Sequence, residues 1–106
     1  MDKESALDSL RRFRLALESK GVQIHKIVLY GSYAQGNAKE GSDIDVLVVS
    51  DDFSGKNHWE RIDMLSDAIY EVFEPIEAVA LTIEEWEKGE SAIVDYAKEG
   101  EVIFST

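Results

Sequence analysis

Asp43 and Asp45 stand two residues apart at the head of an almost wholly apolar run, Val46-Leu47-Val48-Val49. Side chains alternate along a strand, so both carboxylates project from one face, about 7 Å apart at the backbone. Carboxylates that close repel one another, and partial burial adds to the cost. A divalent cation relieves both penalties, and magnesium in particular takes a few carboxylates together with phosphate oxygens. Upstream, Gly31-Ser32 closes another apolar run. Glycine lets backbone approach a phosphate closely, the following N–H groups can point at its oxygens, and the serine hydroxyl adds a donor. Two metals need a third acid, and Glu77, inside Ile76-Glu77-Ala78-Val79-Ala80-Leu81, is the candidate. A lone carboxylate in a core strand is costly unless it shares a cation.

Taken singly, Gly-Ser is usually a turn, Asp-x-Asp a cap or surface pair, and a glutamate at a strand start a solvated side chain. The order is what points to a metal–nucleotide site: strand, Gly-Ser, ten residues (Tyr33 to Ser42), Asp-x-Asp opening an apolar strand, then an acid in a third strand. Haloacid-dehalogenase-like phosphatases place Asp-x-Asp after the apolar run, whereas here it comes before. The EF-hand ligand pattern and the Gly-x4-Gly-Lys P-loop are both missing. No cysteine and only His25 and His58 leave little for zinc. His25 reads as a strand-edge residue and His58 as a helix start.

The elements that must position these groups alternate. Ala6, Leu10, Phe13 and Leu17 at helical spacing predict a helix from about Ser5 to Lys20, capped by Gly21. Strands follow at Ile24–Tyr30 and Asp43–Val49, separated by the polar, glycine-rich segment 31–41 with room for one short helical turn. Asp51–Asn57 is a loop, and Ile62, Leu65, Ile69 and Val72 predict a helix from His58 to Phe73. Ile76–Leu81 is a third strand, Thr82-Ile83-Glu84-Glu85 a capping box, Ser91–Lys98 a last helix ended by Gly100, and Glu101–Phe104 a terminal strand. This alternation predicts a small α/β layer structure forming a single domain over residues 1–106. Trp59, Trp86, Tyr96 and Phe104 read as core or interface, with the core favoured because small domains need their large side chains inside.

Composition narrows the partners. With 22 acidic and 11 basic residues the formal net charge is −11, which opposes binding to long nucleic acid. Arg11, Arg12 and Arg14 spread around their helix and read as a solvated face, with partner docking as the other reading. No run approaches the roughly 18 apolar residues of a membrane span. The absence of cysteine and of a signal-like N-terminus makes the cytoplasm the expected location.

The segment LYGSYAQGNAKEGSDIDVLVV, Leu29 to Val49, resembles the Gly-Ser-x10-Asp-x-Asp signature of the DNA polymerase β-like nucleotidyltransferase superfamily. The short acidic chain looks like the minimal nucleotidyltransferases (MNT). The resemblance implies a small mixed β-sheet packed with helices, a polymerase β palm-like core. Gly31 and Ser32 would then bind the triphosphate of ATP, and Asp43, Asp45 and Glu77 would be catalytic residues binding two magnesium ions. It further implies transfer of AMP to an acceptor hydroxyl, with the MNT protein as the antitoxin of an all-α HEPN partner, in a homo- or hetero-oligomer. Two departures from the family pattern stand out: glutamate replaces the usual aspartate at Glu77, and neutral Gln35 replaces a frequent arginine. They keep open a catalytically weak or inert antitoxin that neutralises its HEPN partner by binding. A subunit of a small-molecule transferase of the aminoglycoside-modifying kind is a further alternative.

Overall fold

A computed structural model describes residues 1–106. Its elements are helices α1 (Lys3–Ser19), α2 (Ser32–Gln35), α3 (His58–Val72), α4 (Ile83–Lys88) and α5 (Ala92–Ala97), and strands β1 (Lys26–Tyr30), β2 (Ile44–Val49), β3 (Ile76–Leu81) and β4 (Glu101–Ser105), with a 3-10 turn at Asp51–Phe53. The four strands form one mixed sheet in the order β3-β2-β1-β4. β1 is antiparallel to both β2 and β4, while β2 and β3 run parallel, joined across α3.

The two faces of the sheet are covered unequally. Ile27, Leu29, Ile44, Val46, Val48 and Ile76 point to one side, where Leu10, Phe13 and Leu17 of α1 and Leu65, Ala68 and Val72 of α3 complete the larger core. The alternate residues Val28, Tyr30, Leu47, Val49 and Leu81 meet only Val94 and Ala97 of α5, with Val79, Ile83, Trp86 and Ile93 half-buried around them. Both sides of β2 are thus apolar from Val46 onward, which explains its unbroken hydrophobic run.

Element ends follow local hydrogen bonding. α1 starts earlier than its apolar spacing predicts, because the Asp2 carboxylate accepts from Ser5 N at 2.8 Å and caps it. The first strand starts later, at Lys26, since Gln23 is held by side chains: its N–H donates to Asp52 Oδ2 and its carbonyl accepts from the buried Ser50 hydroxyl at 2.6 Å. Asp43 lies just before β2 instead of inside it. Both capping boxes are complete, Asn57 with Glu60 on α3 and Thr82 with Glu85 on α4.

The aromatic expectation is corrected. Trp59 is 71% and Tyr96 51% exposed, while Trp86 and Phe104 are only half-buried. Phe104 sits at the rim of the larger cluster and Trp86 at that of the smaller, and a cation covers each ring: Arg14 lies 4.5 Å from the Phe104 centroid and Lys26 Nζ 5.7 Å from that of Trp86. Arg11 and Arg12 pair with Asp8, and Arg14 pairs with Glu18, leaving no concentrated basic patch.

Phe73 caps α3 in the left-handed region (φ 58°) while 83% exposed. A side chain there costs roughly 1 kcal/mol relative to glycine, and little packing is lost on removing it. Phe73→Gly is therefore expected to stabilise the chain by about 1 kcal/mol in urea denaturation. Ser50→Ala, which leaves the Gln23 carbonyl and the Asp52 amide without their partner, is expected to cost about 1–3 kcal/mol in the same assay.

Candidate active site

The C-terminal end of β1 lies beside the N-terminal ends of β2 and β3. Register brings Tyr30 opposite Asp45 and Asp45 opposite Glu77, so these residues form one row across three adjacent strands. Residues opposite one another share a face, and Tyr30 packs with the smaller cluster. The row therefore lies on the thinly covered side. Asp43, two residues before Asp45, shares its parity.

Gly31 follows Tyr30 with φ 73° and ψ −150°, a conformation essentially restricted to glycine. A Cβ at this position would fall on Asp45 Oδ2 and come within 3.2 Å of its Cγ. The turn thus needs glycine twice, for its backbone angles and for the approach of the carboxylate. Ser32 opens α2, and the Gly31 carbonyl accepts from Ala34 and Gln35 N–H. The first N–H groups of the turn have no partner inside the helix, as at any helix start.

Burial pushes the Asp45 carboxyl up from its ordinary range, and the charges of Glu77 and then Asp43 raise it further. Tyr30 is pushed up to about 12 by burial and then by Asp45, Glu77 and Tyr96. The Tyr96 ring stands edge-on to Tyr30, with centroids 5.6 Å apart. These couplings place Asp43, Asp45, Glu77 and Tyr30 in one electrostatic neighbourhood. Asp43 and Glu77 are exposed, and Asp45 is half-buried. No three acidic or histidine side chains are drawn into a ready-made ligand cage, so the carboxylates share a region without a closed site.

Nothing in the sequence singles out Tyr30, and Tyr96 reads there as core or interface. Strand register alone brings Tyr30 to Asp45, and no local pattern around it signals this. His25, by contrast, bonds through its N–H to the Val49 carbonyl at the far end of β2, away from the acids. The donors near Gly31 are all oxygens. Such a set suits a hard cation such as magnesium, and the missing Cβ at Gly31 is what lets Asp45 Oδ2 lie this close to the turn.

A family model described as nucleotidyltransferase domain matches residues 10–103. The candidate protein adenylyltransferase MJ0604 of Methanocaldococcus jannaschii is 48% identical over 52 residues, 48% of this chain and 49% of that protein. The match thus spans about half the length of this relative. A candidate nucleotidyltransferase structure from Sulfolobus solfataricus superposes with TM-score 0.77 at 19% identity, covering 97% of this chain and 83% of its own. A chain in the complex of tri-AMPylated Shewanella oneidensis HEPN toxin with MNT antitoxin has TM-score 0.58 at 14% identity, over 98% and 73%. A toxin–antitoxin structure with AMP-PNP gives 0.63 at 18%, over 91% and 73%. At these identities the structural likenesses establish the mixed-sheet fold.

Two outcomes test this geometry. Gly31→Ala is expected to cost more than about 2 kcal/mol in urea denaturation, and less when Asp45→Ala removes the colliding carboxylate, so the two changes are non-additive. The raised Asp45 carboxyl means that, between its ordinary and folded-state values, the native chain holds the extra proton. Stability therefore falls as pH rises through that window and stays lowered at neutral pH. Asp45→Asn is expected to raise the melting temperature of the metal-free chain at pH 7 and to flatten that acid-range slope.

Proposed function

This chain belongs to the nucleotidyltransferase domain family, and from that premise we propose that it is a magnesium-dependent enzyme transferring AMP from ATP to an acceptor hydroxyl. The acceptor is proposed to lie on an all-α HEPN-type partner, with this chain as the antitoxin. The observation that carries the reading is the row Tyr30–Asp45–Glu77 set against the Gly31-Ser32 turn. The adenylyltransferase name of the M. jannaschii relative and the AMPylated toxin of the S. oneidensis complex support the choice of AMP and of a protein acceptor.

In the reaction the acceptor oxygen bonds to the α-phosphorus of ATP as the bond from that phosphorus to the bridging oxygen breaks. Pyrophosphate leaves and the hydroxyl gives up its proton. Gly31 and Ser32 would grip the triphosphate, through backbone N–H groups that glycine leaves accessible and through the Ser32 hydroxyl. Asp43, Asp45 and Glu77 would hold magnesium, which when bound offsets the charge building on the attacking and leaving oxygens. Glu77, the exposed member of the row, would orient the acceptor and receive its proton. Tyr30, itself buried, borders the row on the β1 side.

A second reading, neutralisation by occupancy alone, draws on the exposed Glu77 and the open spacing of the carboxylates. α-Labelled ATP with magnesium and the co-expressed helical partner separates the two. Label is expected on the partner, reduced about a thousandfold or more by Asp43→Asn with Asp45→Asn. Full neutralisation of the partner by that unlabelling double variant would sink adenylylation as the antitoxin mechanism.

A further inference from the structure

β3 is an edge strand, and its outward groups can be read off its bonds to β2. The Pro75 carbonyl accepts from Ile44 N at 2.8 Å and the Leu81 carbonyl from Ser50 N at 2.9 Å. In a parallel ladder each residue directs both of its polar groups to one side, and alternate residues face opposite sides. Glu77 and Val79 therefore bond to β2, while Ile76, Ala78 and Ala80 face outward. Arg61 bears this out, since its NH1 donates to the Ala80 carbonyl at 3.2 Å from outside the sheet. What stays unpaired is the amide and carbonyl of Ala78, the Ala80 amide and the Ile76 carbonyl.

The opposite edge is protected differently. β4 meets β1 with a register shift between Ile27 and Val28 and carries Glu101, and bulges and edge charges both discourage pairing. β3 runs in unbroken register along β2, and its one outer cover over Ala78–Ala80 is Arg61 on the Ala80 carbonyl, which leaves Ala78 open. The strand floors a groove of about 620 Å³ walled by Ile62 and Leu65 of α3 and by Ile93.

The groove is polarised. Glu77 stands at the start of β3, one strand from Asp45. At the other end Arg61 is already paired with Glu85 at 2.7 Å, and its Nε donates to the Lys56 carbonyl at 3.0 Å, which locates Lys56 there. Lys56 and His58 line that end, and no carboxylate pairs with Lys56. In a chain of net charge −11, an unpaired lysine beside unpaired strand amides favours an acidic side chain on an extended segment.

We infer that the outer edge of β3 is the acceptor-docking surface: an extended peptide segment adds to the sheet through Ala78, setting a hydroxyl residue at Glu77 and an acidic residue near Lys56. Main-chain bonds supply the affinity and the side chains at alternate positions the selectivity. From Glu77 to Leu81 the strand advances about 13 Å, so hydroxyl and acid stand about four residues apart. The inference rests on the transferase reading only for the role of Glu77.

The test uses fluorescein-labelled eight-residue peptides with one tyrosine and, four positions before or after it, either glutamate or lysine. They are titrated with the full chain without nucleotide or magnesium. The glutamate peptides of one polarity are expected to bind at least tenfold more tightly than their lysine counterparts, and Lys56→Glu to reverse that preference. Amide exchange at Ala78 is expected to slow at least tenfold on peptide addition, and Ala78→Pro, tolerable on an outward edge amide, to abolish binding. Unchanged Ala78 exchange at saturating peptide, or a preference indifferent to Lys56→Glu, overturns the inference. So does Ala78 protection that rises with protein concentration, which would assign the edge to a second copy of the chain. Absence of peptide binding overturns it even where the chain still adenylylates a whole partner. Peptide binding alongside an unlabelled helical partner in the assay with ATP and magnesium leaves the docking surface standing and removes the transferase reading.

Discussion

The closeness of Asp45 to the backbone of Gly31, inside a row it shares with Tyr30 and Glu77, sets the terms for the open end of the sheet. Its charge is opposed by burial and by two neighbouring carboxylates, and the turn beside it exists only because glycine has no side chain to collide with it. The opposition is borne by the rest of β2. Val46, Leu47, Val48 and Val49 are all fully buried, each contributing roughly 1.5–3 kcal/mol. The strand is anchored by its apolar length and carries its charged head at the tip.

The unequal faces of the sheet serve the same end. α1 and α3 seal one side with Phe13, Leu10, Leu17 and Leu65, which is where most of the stabilising burial lies. The other side has only the short helices α4 and α5. The row of acids falls on that thinner side, where Glu77 stays exposed and Asp45 half-buried. A sheet covered equally on both faces would have buried the same residues beyond use.

Much of this was legible in the sequence, for reasons that differ by element. The apolar run after Asp45, the Gly-Ser turn and the ten-residue interval are local facts, and an interval that short returns the chain into the neighbouring strand. Glu77 stood out because a carboxylate in an apolar strand needs a reason. Tyr30 did not, since a tyrosine ending a strand is ordinary and its place beside Asp45 is a matter of register between segments far apart in the chain. The aromatic residues misled in the opposite direction. Trp59 and Tyr96 are large and apolar, but helix faces are assigned by what they pack on, and the available surface was already filled by Val94, Ala97, Leu65 and Ala68.

The strand order also has a consequence in time. β1 and β2 are consecutive and antiparallel, so their pairing closes a short loop. β2 meets β3 only across the whole of α3, and β1 meets β4 only when residues 101–105 are available. Closure entropy grows with the span to be closed, and distant pairings form slowly. During synthesis the aspartates leave the ribosome before Glu77, and Tyr96 and β4 follow it. The nascent chain therefore carries its signature residues well before it possesses the row they belong to, and completion of the C-terminal strand is the step that finishes the sheet around them.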